Sequence, residues 1–216
     1  RDDTLDLVQL HCPPTPVYYT DAVFETLDEM VAEGRMRAYG VSVETVDEAL
    51  TAIRREHVAS VQIILNVLRR KPLEQVLGAA ADSGVAIIAR VPLASGMLSG
   101  RFGADTTFSA DDHRAFNRRG EAFDVGETFS GVPYDVGVEA AQRFAAIGSH
   151  GTPAQRALRW VIDQPGVTTV IPGASRPEQA VANAGAAALP QTSAEELTAY
   201  EHLYDDLVRE HVHDRW

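Results

Sequence analysis

The chain has 216 residues, of which 45% are hydrophobic and 23% are charged, as is usual for a globular protein with a sizeable core. The formal net charge of −12 argues against nucleic acid as the main partner, although a small anion could still bind in a local pocket. The single cysteine, Cys12, excludes a disulfide within the chain, and no apolar run is long enough to cross a bilayer, so we expect no membrane partner and a cytoplasmic protein.

The pattern of apolar residues predicts strands that alternate with helices along the chain. The predicted strands cover residues 5–10, 37–42, 60–68, 85–93 and 167–173, and the predicted helices cover 21–34, 45–56, 72–84, 176–188 and 193–210. Asp21 and Ser193 are good N-caps, and Gly34 and Gly84 suit helix ends. Alternation without hairpin turns predicts a parallel sheet, either in an open doubly wound fold or in a (β/α)8 barrel.

The positions of unusual residues favour the barrel. His11, Ser42, Asn66, Arg90 and the Pro172–Gly173 pair lie at or near the ends of five different predicted strands. In a barrel, ligand-binding residues come from the carboxyl ends of several strands. A doubly wound nucleotide-binding fold would instead concentrate its signal in one glycine-rich first turn, and the sequence contains neither G-x-G-x-x-G nor a phosphate-binding loop motif. We therefore predict an α/β fold of the TIM-barrel type.

A long segment, residues 95–133, interrupts this alternation. It is rich in glycine, aspartate and phenylalanine and has weak periodicity. Loops of this length in compact domains are usually functional or disordered, and five phenylalanines argue against disorder. Two interpretations stay open, an ordered lid or substrate loop, and a surface insertion with its own small apolar cluster.

Five stretches together carry a resemblance to a known family. They are "DLVQLHCPP", "GRMRAYGVS", "VQIILN", "IIARVPLASGMLSGRF" and "VIPGASRPEQAVANA". Their order and spacing, from Leu5 to about Ala188, resemble those of the aldo-keto reductases. That family has a (β/α)8 barrel and uses NADPH without a Rossmann fold. The resemblance therefore implies an NADPH-dependent carbonyl reductase.

The first of these stretches resembles the fourth strand of the family's barrel. The resemblance thus implies an incomplete barrel over residues 1–216, made of strands four to eight and their helices, with a long loop at 95–133 and a C-terminal helix at 193–210. The family's catalytic Asp, Tyr and Lys belong to the part before this strand, and Tyr18, Tyr19 and Lys71 do not occupy those motifs. We expect such a fragment to be inactive and poorly stable alone.

His11 is the one catalytic residue that the resemblance assigns here. The matching histidine lies beside the substrate carbonyl and orients or polarises it. A preorganised donor lowers the barrier because hydride addition to the carbonyl carbon builds negative charge on the oxygen. The alternative is a histidine that merely satisfies its hydrogen bonds at a strand end.

The resemblance also implies residues for the nicotinamide and the pyrophosphate. Ser42 and Gln62 match the residues that hydrogen-bond the carboxamide, although Gln62 could instead only pack against a helix. Arg90 replaces an aromatic residue, and we predict that its flat guanidinium stacks on the nicotinamide and that its charge has a partner. The matching pyrophosphate stretch contains Pro92, Leu93, Ser95 and Leu98, of which Leu98 could simply be a core residue.

The stretch "IPGASRPEQAVANA" predicts a phosphate site on physical grounds, because a strand and a Pro-Gly turn lead into a helix N-terminus. Gly173 forms the turn, and Ser175 and Arg176 are the candidates for the adenosine 2′-phosphate. Gln179 and Asn183 share one helix face and can reach the adenine and ribose. Some members of the family have a basic residue where Gln179 stands, so NADH is the alternative to NADPH.

The predicted function is therefore reduction of an aldehyde, ketone or sugar carbonyl, with a non-catalytic NADP(H)-binding regulatory relative as the alternative. An aldolase would need a Schiff-base lysine at a strand end, whereas Lys71 lies between a strand and a helix. We predict no metal site, because His211 and His213 near the end of the chain are expected to be solvated or packed. The oligomeric state is left open.

Overall fold

The structure is a computed structural model that describes residues 4–216. Its strands are β1 (Leu5–His11), β2 (Met36–Ser42), β3 (Val58–Ile64), β4 (Ala86–Arg90) and β5 (Val167–Val170). Its helices are α1 (Asp21–Ala32), α2 (Val46–Ile53), α3 (Pro72–Ser83), α4 (His113–Phe116), α5 (Tyr134–Ile147), α6 (Pro153–Asp163), α7 (Pro177–Ala184), α8 (Ala194–Leu203) and α9 (Arg209–Val212). No helix in this part of the chain is long and apolar enough to span a membrane.

The five strands form one parallel sheet in the order β1-β2-β3-β4-β5, which confirms the predicted parallel arrangement. His11 lies opposite Ser42, and Ser42 lies opposite Gln62, so the strand ends are in register. The order never reverses, as in a barrel, whereas a doubly wound sheet reverses at its switch point. Within residues 4–216, β1 and β5 are the two edges of the sheet.

The two faces of the sheet differ in chemistry. One face packs against the helices, and there Tyr39 of β2 lies 6.3 Å, ring centre to ring centre, from Phe24 of α1. The other face carries a row of polar side chains on neighbouring strands. Gln62 Nε2 donates to Gln9 Oε1 at 2.6 Å, and Gln9 Nε2 donates to Ser60 Oγ at 3.1 Å. Because these groups satisfy one another, the face can be polar without leaving buried amides unpaired.

Three predicted strands, β3, β4 and β5, end earlier than expected, and β5 ends at Val170 and not at residue 173. β4 ends at Arg90 because Val91 has φ +51° and Pro92 has no N–H to donate to a neighbouring strand. β3 ends at Ile64, and Asn66 and Arg69 then close a tight turn with two backbone hydrogen bonds. After β3 and β4 the chain thus turns away from the sheet at its carboxyl edge.

The helical regions also differ from the prediction. Residues 134–163 hold two helices that the sequence analysis did not assign, although Thr152 and Gln155 form a capping box at the start of α6. The predicted helix 193–210 is divided by a π-helical turn at Tyr204–Val208. Ser193 caps its start, as its residue type predicts.

The segment 95–133, called the cleft loop below, is ordered around aromatic side chains. Phe102 meets Phe108 edge-on with ring centres 5.2 Å apart, and Phe129 lies 5.3 Å from Tyr134 of α5. The loop therefore has an apolar cluster of its own that continues into the protein core. It also forms a wall of the cleft described next, so the two interpretations of this segment are not exclusive.

Candidate active site

A cleft of about 1210 Å³ opens at the carboxyl edge of the sheet. The ends of β1 and β4 form its floor, the cleft loop forms one wall, and the β5–α7 connection and the start of α6 form the other. The predicted site residues that line it are His11, Arg90, Pro92, Leu93, Ser95, Gly173, Ser175, Gln179 and Asn183. Carboxyl ends of parallel strands meet at one edge of a sheet, which explains why residues so distant in sequence converge.

Four predicted cofactor residues do not line this cleft. Ser42 is fully buried, and its Oγ accepts a hydrogen bond from the backbone N–H of Cys12 at 2.9 Å. Gln62 is engaged with Gln9 on the polar face of the sheet. Leu98 is fully buried, which agrees with the alternative interpretation that it is a core residue. Arg176 is exposed at the start of α7, outside the cleft wall. Their cofactor roles stay predictions.

Arg90 is the central charged group of the cleft floor. It is only 5% exposed, and its guanidinium pairs with Glu127. Its Nη2 also donates to the Val43 carbonyl at 2.9 Å and lies 3.2 Å from Glu44 Oε1. Burial opposes the charge of Arg90, but Glu127 and Glu44 outweigh this, so its pKa is raised. Arg90 thus has the charge partner that was predicted, in the form of two carboxylates. Its stacking on the nicotinamide stays a prediction.

Glu44 is held in place by the turn between β2 and α2. Thr45 caps the start of α2 and forms a capping box with Glu48. Glu48 Oε2 also accepts a hydrogen bond from the backbone N–H of Glu44 at 2.9 Å. Arg69 Nη2 donates to the Glu44 carbonyl at 2.7 Å from the neighbouring β3 turn. Burial raises the pKa of the Glu44 carboxyl to about 7; Arg90 opposes this rise, and Glu127 adds to it. Glu44 therefore titrates near neutral pH.

Glu127 reaches the floor from the cleft loop. Ser95 Oγ donates to the Glu127 carbonyl at 3.0 Å and accepts the backbone N–H of Phe129 at 3.1 Å. The hydroxyl predicted to face a pyrophosphate therefore also joins the start of the cleft loop to its end. This contact sets the position from which Glu127 pairs with Arg90.

The backbone around the cleft floor is strained. Cys12, Val91, Ala94 and Ser95 have φ values of +42°, +51°, +47° and +55°, a region that non-glycine residues seldom adopt. Each such residue costs on the order of 1–3 kcal/mol, and strain of this kind clusters at ligand-binding sites. The strained backbone is therefore a reason, separate from the side chains, to take the floor as the candidate ligand-binding site.

Cys12, Glu44 and Glu127 have ligand atoms within 4.8 Å of one another, a spacing that could suit a metal ion. The Arg90 guanidinium, however, already pairs with both carboxylates, and its Nη2 lies 3.5 Å from Cys12 Sγ. Burial raises the pKa of the Cys12 thiol to about 11, so it is a neutral thiol at pH 7. The cation of this cluster is therefore the arginine.

The β5–α7 connection holds the predicted adenosine-end residues. The backbone N–H and Oγ of Ser175 donate to Gln179 Oε1 at 2.7 and 3.0 Å, and Asn183 Nδ2 donates to the Gly173 carbonyl at 3.2 Å. These side chains stabilise the turn itself in this structure. Of the two histidines predicted to be solvated or packed, His213 is buried against Tyr204 and Glu74, away from the cleft, and His211 is half-buried.

Several cleft residues were not anticipated from the sequence. They are Cys12, Glu44, Arg101, Arg114, Glu127 and the stretch 152–155 at the start of α6. Glu44 could have been found, because it lies two residues beyond a strand end. Glu127 gave no signal, because an isolated glutamate in a long aperiodic segment has no distinguishing pattern. Among residues 4–216, the side chain of Arg101 has no hydrogen-bond or ion-pair partner, so it is free to meet an anion.

The chain matches the model of the aldo/keto reductase family over residues 1–205. It belongs to the aldo/keto reductase family. Among curated relatives it is 28% identical to the aldo-keto reductase YhdN of Bacillus subtilis over 83% of this chain and 52% of that protein. It is 24% identical to an uncharacterized oxidoreductase, YqkF, of the same organism, over 98% of this chain and 64% of the relative.

Solved structures of aldo-keto reductases share the fold. The holo form of AKR11C1 from Bacillus halodurans superposes with a TM-score of 0.71 at 23% identity, covering 99% of this chain and 64% of the other. The glycerol dehydrogenase AKR11B4 from Gluconobacter oxydans gives 0.70 at 25% identity, covering 99% and 61%. The chain thus spans between about half and two thirds of the length of these relatives.

Proposed function

We propose that the protein is part of an NADPH-dependent oxidoreductase that reduces the carbonyl of an aldehyde, ketone or sugar, with NADH as the alternative cofactor. One observation carries the proposal: His11, the pair Arg90 and Ser95, and Ser175 come from three separate segments and line one cleft. The family assignment supplies the reaction class. A cytoplasmic location is part of the proposal.

The residues present fit a nicotinamide dinucleotide. The cleft volume of about 1210 Å³ exceeds what a small carbonyl substrate alone requires. Arg101 in the wall and Arg176 beside Ser175 have no carboxylate partner among residues 4–216. Unpaired guanidinium groups in a chain of net charge −12 suit phosphate groups, and Ser175 stands just before the N-terminus of α7.

When bound, the nicotinamide supplies the hydride. In this proposal His11, exposed at the end of β1, donates a hydrogen bond to the substrate oxygen and stabilises its developing charge. Ser95 and Leu93 line the middle of the cleft, and Ser175 and Arg176 hold the phosphate end. The strained backbone after β4 presents these groups in a fixed geometry, which reduces the entropy lost on binding.

The proposed reaction also needs a proton donor, and the described residues of the cleft do not include a tyrosine or a lysine that could act as one. Lys71 borders a separate small cavity beside Trp216. We propose that the five strands correspond to strands four to eight of a closed barrel. The acid would then come from the remaining strands, and this chain alone would be inactive.

The same observation favours a second candidate, a non-catalytic relative that binds NADP(H) as a regulatory subunit. Both candidates need the dinucleotide cleft, and only the reductase needs a proton donor. Titration of the protein with NADPH, with the cofactor's fluorescence as the signal, tests dinucleotide binding, which both candidates require. Cofactor oxidation with a panel of aldehydes, ketones and aldoses separates the two. Binding with turnover supports the reductase, binding without turnover by the complete gene product supports the regulatory relative, and no binding contradicts both.

A further inference from the structure

The charged cluster on the cleft floor is defined by Glu44, Arg90 and Glu127. Two carboxylates from different elements, one after β2 and one in the cleft loop, flank a single guanidinium from the end of β4. All three residues line the cleft, so a ligand in the cleft experiences the net charge of the group. The side chain of Arg90 is 6% exposed and that of Glu44 is 20% exposed, which limits screening by water.

We propose that this cluster makes the protein discriminate between the oxidised and the reduced nicotinamide cofactor according to the protonation of Glu44. The inference rests on the proposed function, because it requires the nicotinamide to lie at the floor beside Arg90. It adds a role for Glu44 and Glu127 that the family resemblance does not assign.

The argument begins with charge. With Glu44 ionised, the cluster has one guanidinium and two carboxylates and carries one excess negative charge. With Glu44 protonated, Arg90 and Glu127 cancel, and the cluster is neutral. The nicotinamide ring is a cation when oxidised and neutral when reduced, whereas the rest of the dinucleotide is the same. Ionised Glu44 therefore attracts the oxidised ring and has little effect on the reduced ring.

The second step is the identity of the titrating group. The groups nearest Glu44 are Arg90 from β4, Glu127 and Asp124 from the cleft loop, Cys12 after β1, Arg69 after β3, Glu48 of α2 and Tyr18. Lys71 and His213 line a small cavity together with it. Cys12 stays a thiol through the neutral range because burial raises its pKa to about 11. Arg90, 3.2 Å from Glu44 Oε1, and the Cys12 thiol favour the ionised carboxylate, but Glu44 Oε2 is buried and accepts no hydrogen bond among the described residues, and burial outweighs both. Glu44 is thus the member of the cluster that changes charge near pH 7.

Linkage gives the direction of the effect. As the pH rises through about 7, the affinity for the oxidised cofactor increases relative to that for the reduced cofactor. One unit of charge near the ring in a partly buried site changes this ratio roughly tenfold. Conversely, binding of the oxidised cofactor lowers the pKa of Glu44 and releases a proton.

The test is to measure dissociation constants for NADPH and NADP⁺ from about pH 6 to about pH 8 and to follow their ratio. The 2′-phosphate titrates in the same range but is common to both forms, so it cancels; NADH and NAD⁺ provide a second pair without it. The expected ratio changes roughly tenfold in the natural protein and is constant in Glu44→Gln, which keeps the side-chain shape. Glu139→Gln, in an exposed pair with Arg143, is the matched control and should behave as the natural protein.

Glu127→Gln keeps the inference testable where Glu44→Gln fails to fold. It should disfavour the oxidised cofactor and move the pH-dependent change to lower pH, because Glu127 raises the pKa of Glu44. His11→Asn removes the imidazole from the floor, and the pH-dependent change of the ratio should persist in this variant. Tight binding of both forms with a constant ratio, or a change that persists in Glu44→Gln and disappears in His11→Asn, overturns this inference alone. Failure to bind either form overturns the proposed function and the inference together.

Discussion

The indole N–H of Trp216 donates a hydrogen bond to Asp124 Oδ1 at 3.0 Å, across 92 positions of the sequence. The Arg69 guanidinium lies over the same indole, 4.0 Å from the ring centre. Because Asp124 precedes Glu127 by three residues, this contact fastens the cleft loop to the last segment of the chain. Arg69 also donates to the Glu44 carbonyl, so one side chain joins the Trp216 contact to the cleft floor.

We expect Trp216→Ala to destabilise the protein by about 3–5 kcal/mol, because it empties a well-packed site and removes the partner of Asp124. Gly131→Ala should also destabilise it, since Gly131 has φ +78° and a Cβ there would lie 2.2 Å from Trp216 Cη2. The double variant should be less destabilised than the sum, because removal of the indole relieves the clash. Chemical denaturation measures the free energy of unfolding of the two single variants and the double variant. Strictly additive losses of stability would contradict this packing.

Glu44 should make stability depend on pH. Its folded-state pKa of about 7 lies above the usual 4.5, so its contribution is present below about 4.5 and is lost as the pH rises through about 7. Relative to Glu44→Gln, the free energy of unfolding of the natural protein should fall by roughly 2–3 kcal/mol over this range. Urea denaturation at several pH values measures the difference. A difference that is independent of pH would show that the Glu44 pKa is not raised.

His11→Asn should lower kcat by about 10²–10⁴-fold in the complete protein, because the shorter amide side chain cannot place its N–H where the imidazole N–H meets the substrate oxygen. The dissociation constant for NADPH should hardly change, since the histidine acts on the substrate. Steady-state kinetics and NADPH titration are both needed. A variant with unchanged kcat and weakened NADPH binding would place His11 at the cofactor instead.

Arg176→Ala should weaken NADPH binding roughly tenfold or more, because a charge-assisted contact to the 2′-phosphate is lost. NADH binding should stay the same, because NADH has no 2′-phosphate. Arg35→Ala is the control, since Arg35 pairs with Glu33 in the turn before β2. Equal losses for both cofactors would show that Arg176 does not select the phosphate.

The sequence predicted much of the cleft because strand ends are local features. His11 and Ser175 each follow an apolar run, and parallel strands bring their carboxyl ends to one edge. It did not predict the Glu127–Arg90 pair, whose members are 37 positions apart, because Glu127 lies in a segment without periodicity. Its placement of Ser42 at the cofactor stays a prediction, and the structure adds that the Ser42 hydroxyl accepts the backbone N–H of Cys12 at the strained turn.

The sequence by itself determined the strand–helix alternation, the parallel sheet and the edge at which the site forms. These follow from residue periodicity, capping and turn residues, which act over a few positions. Only the tertiary structure decided which carboxylates neutralise Arg90 and where Trp216 packs. Such choices depend on the loop path and on the desolvation of groups that only folding brings together, and no local pattern encodes them.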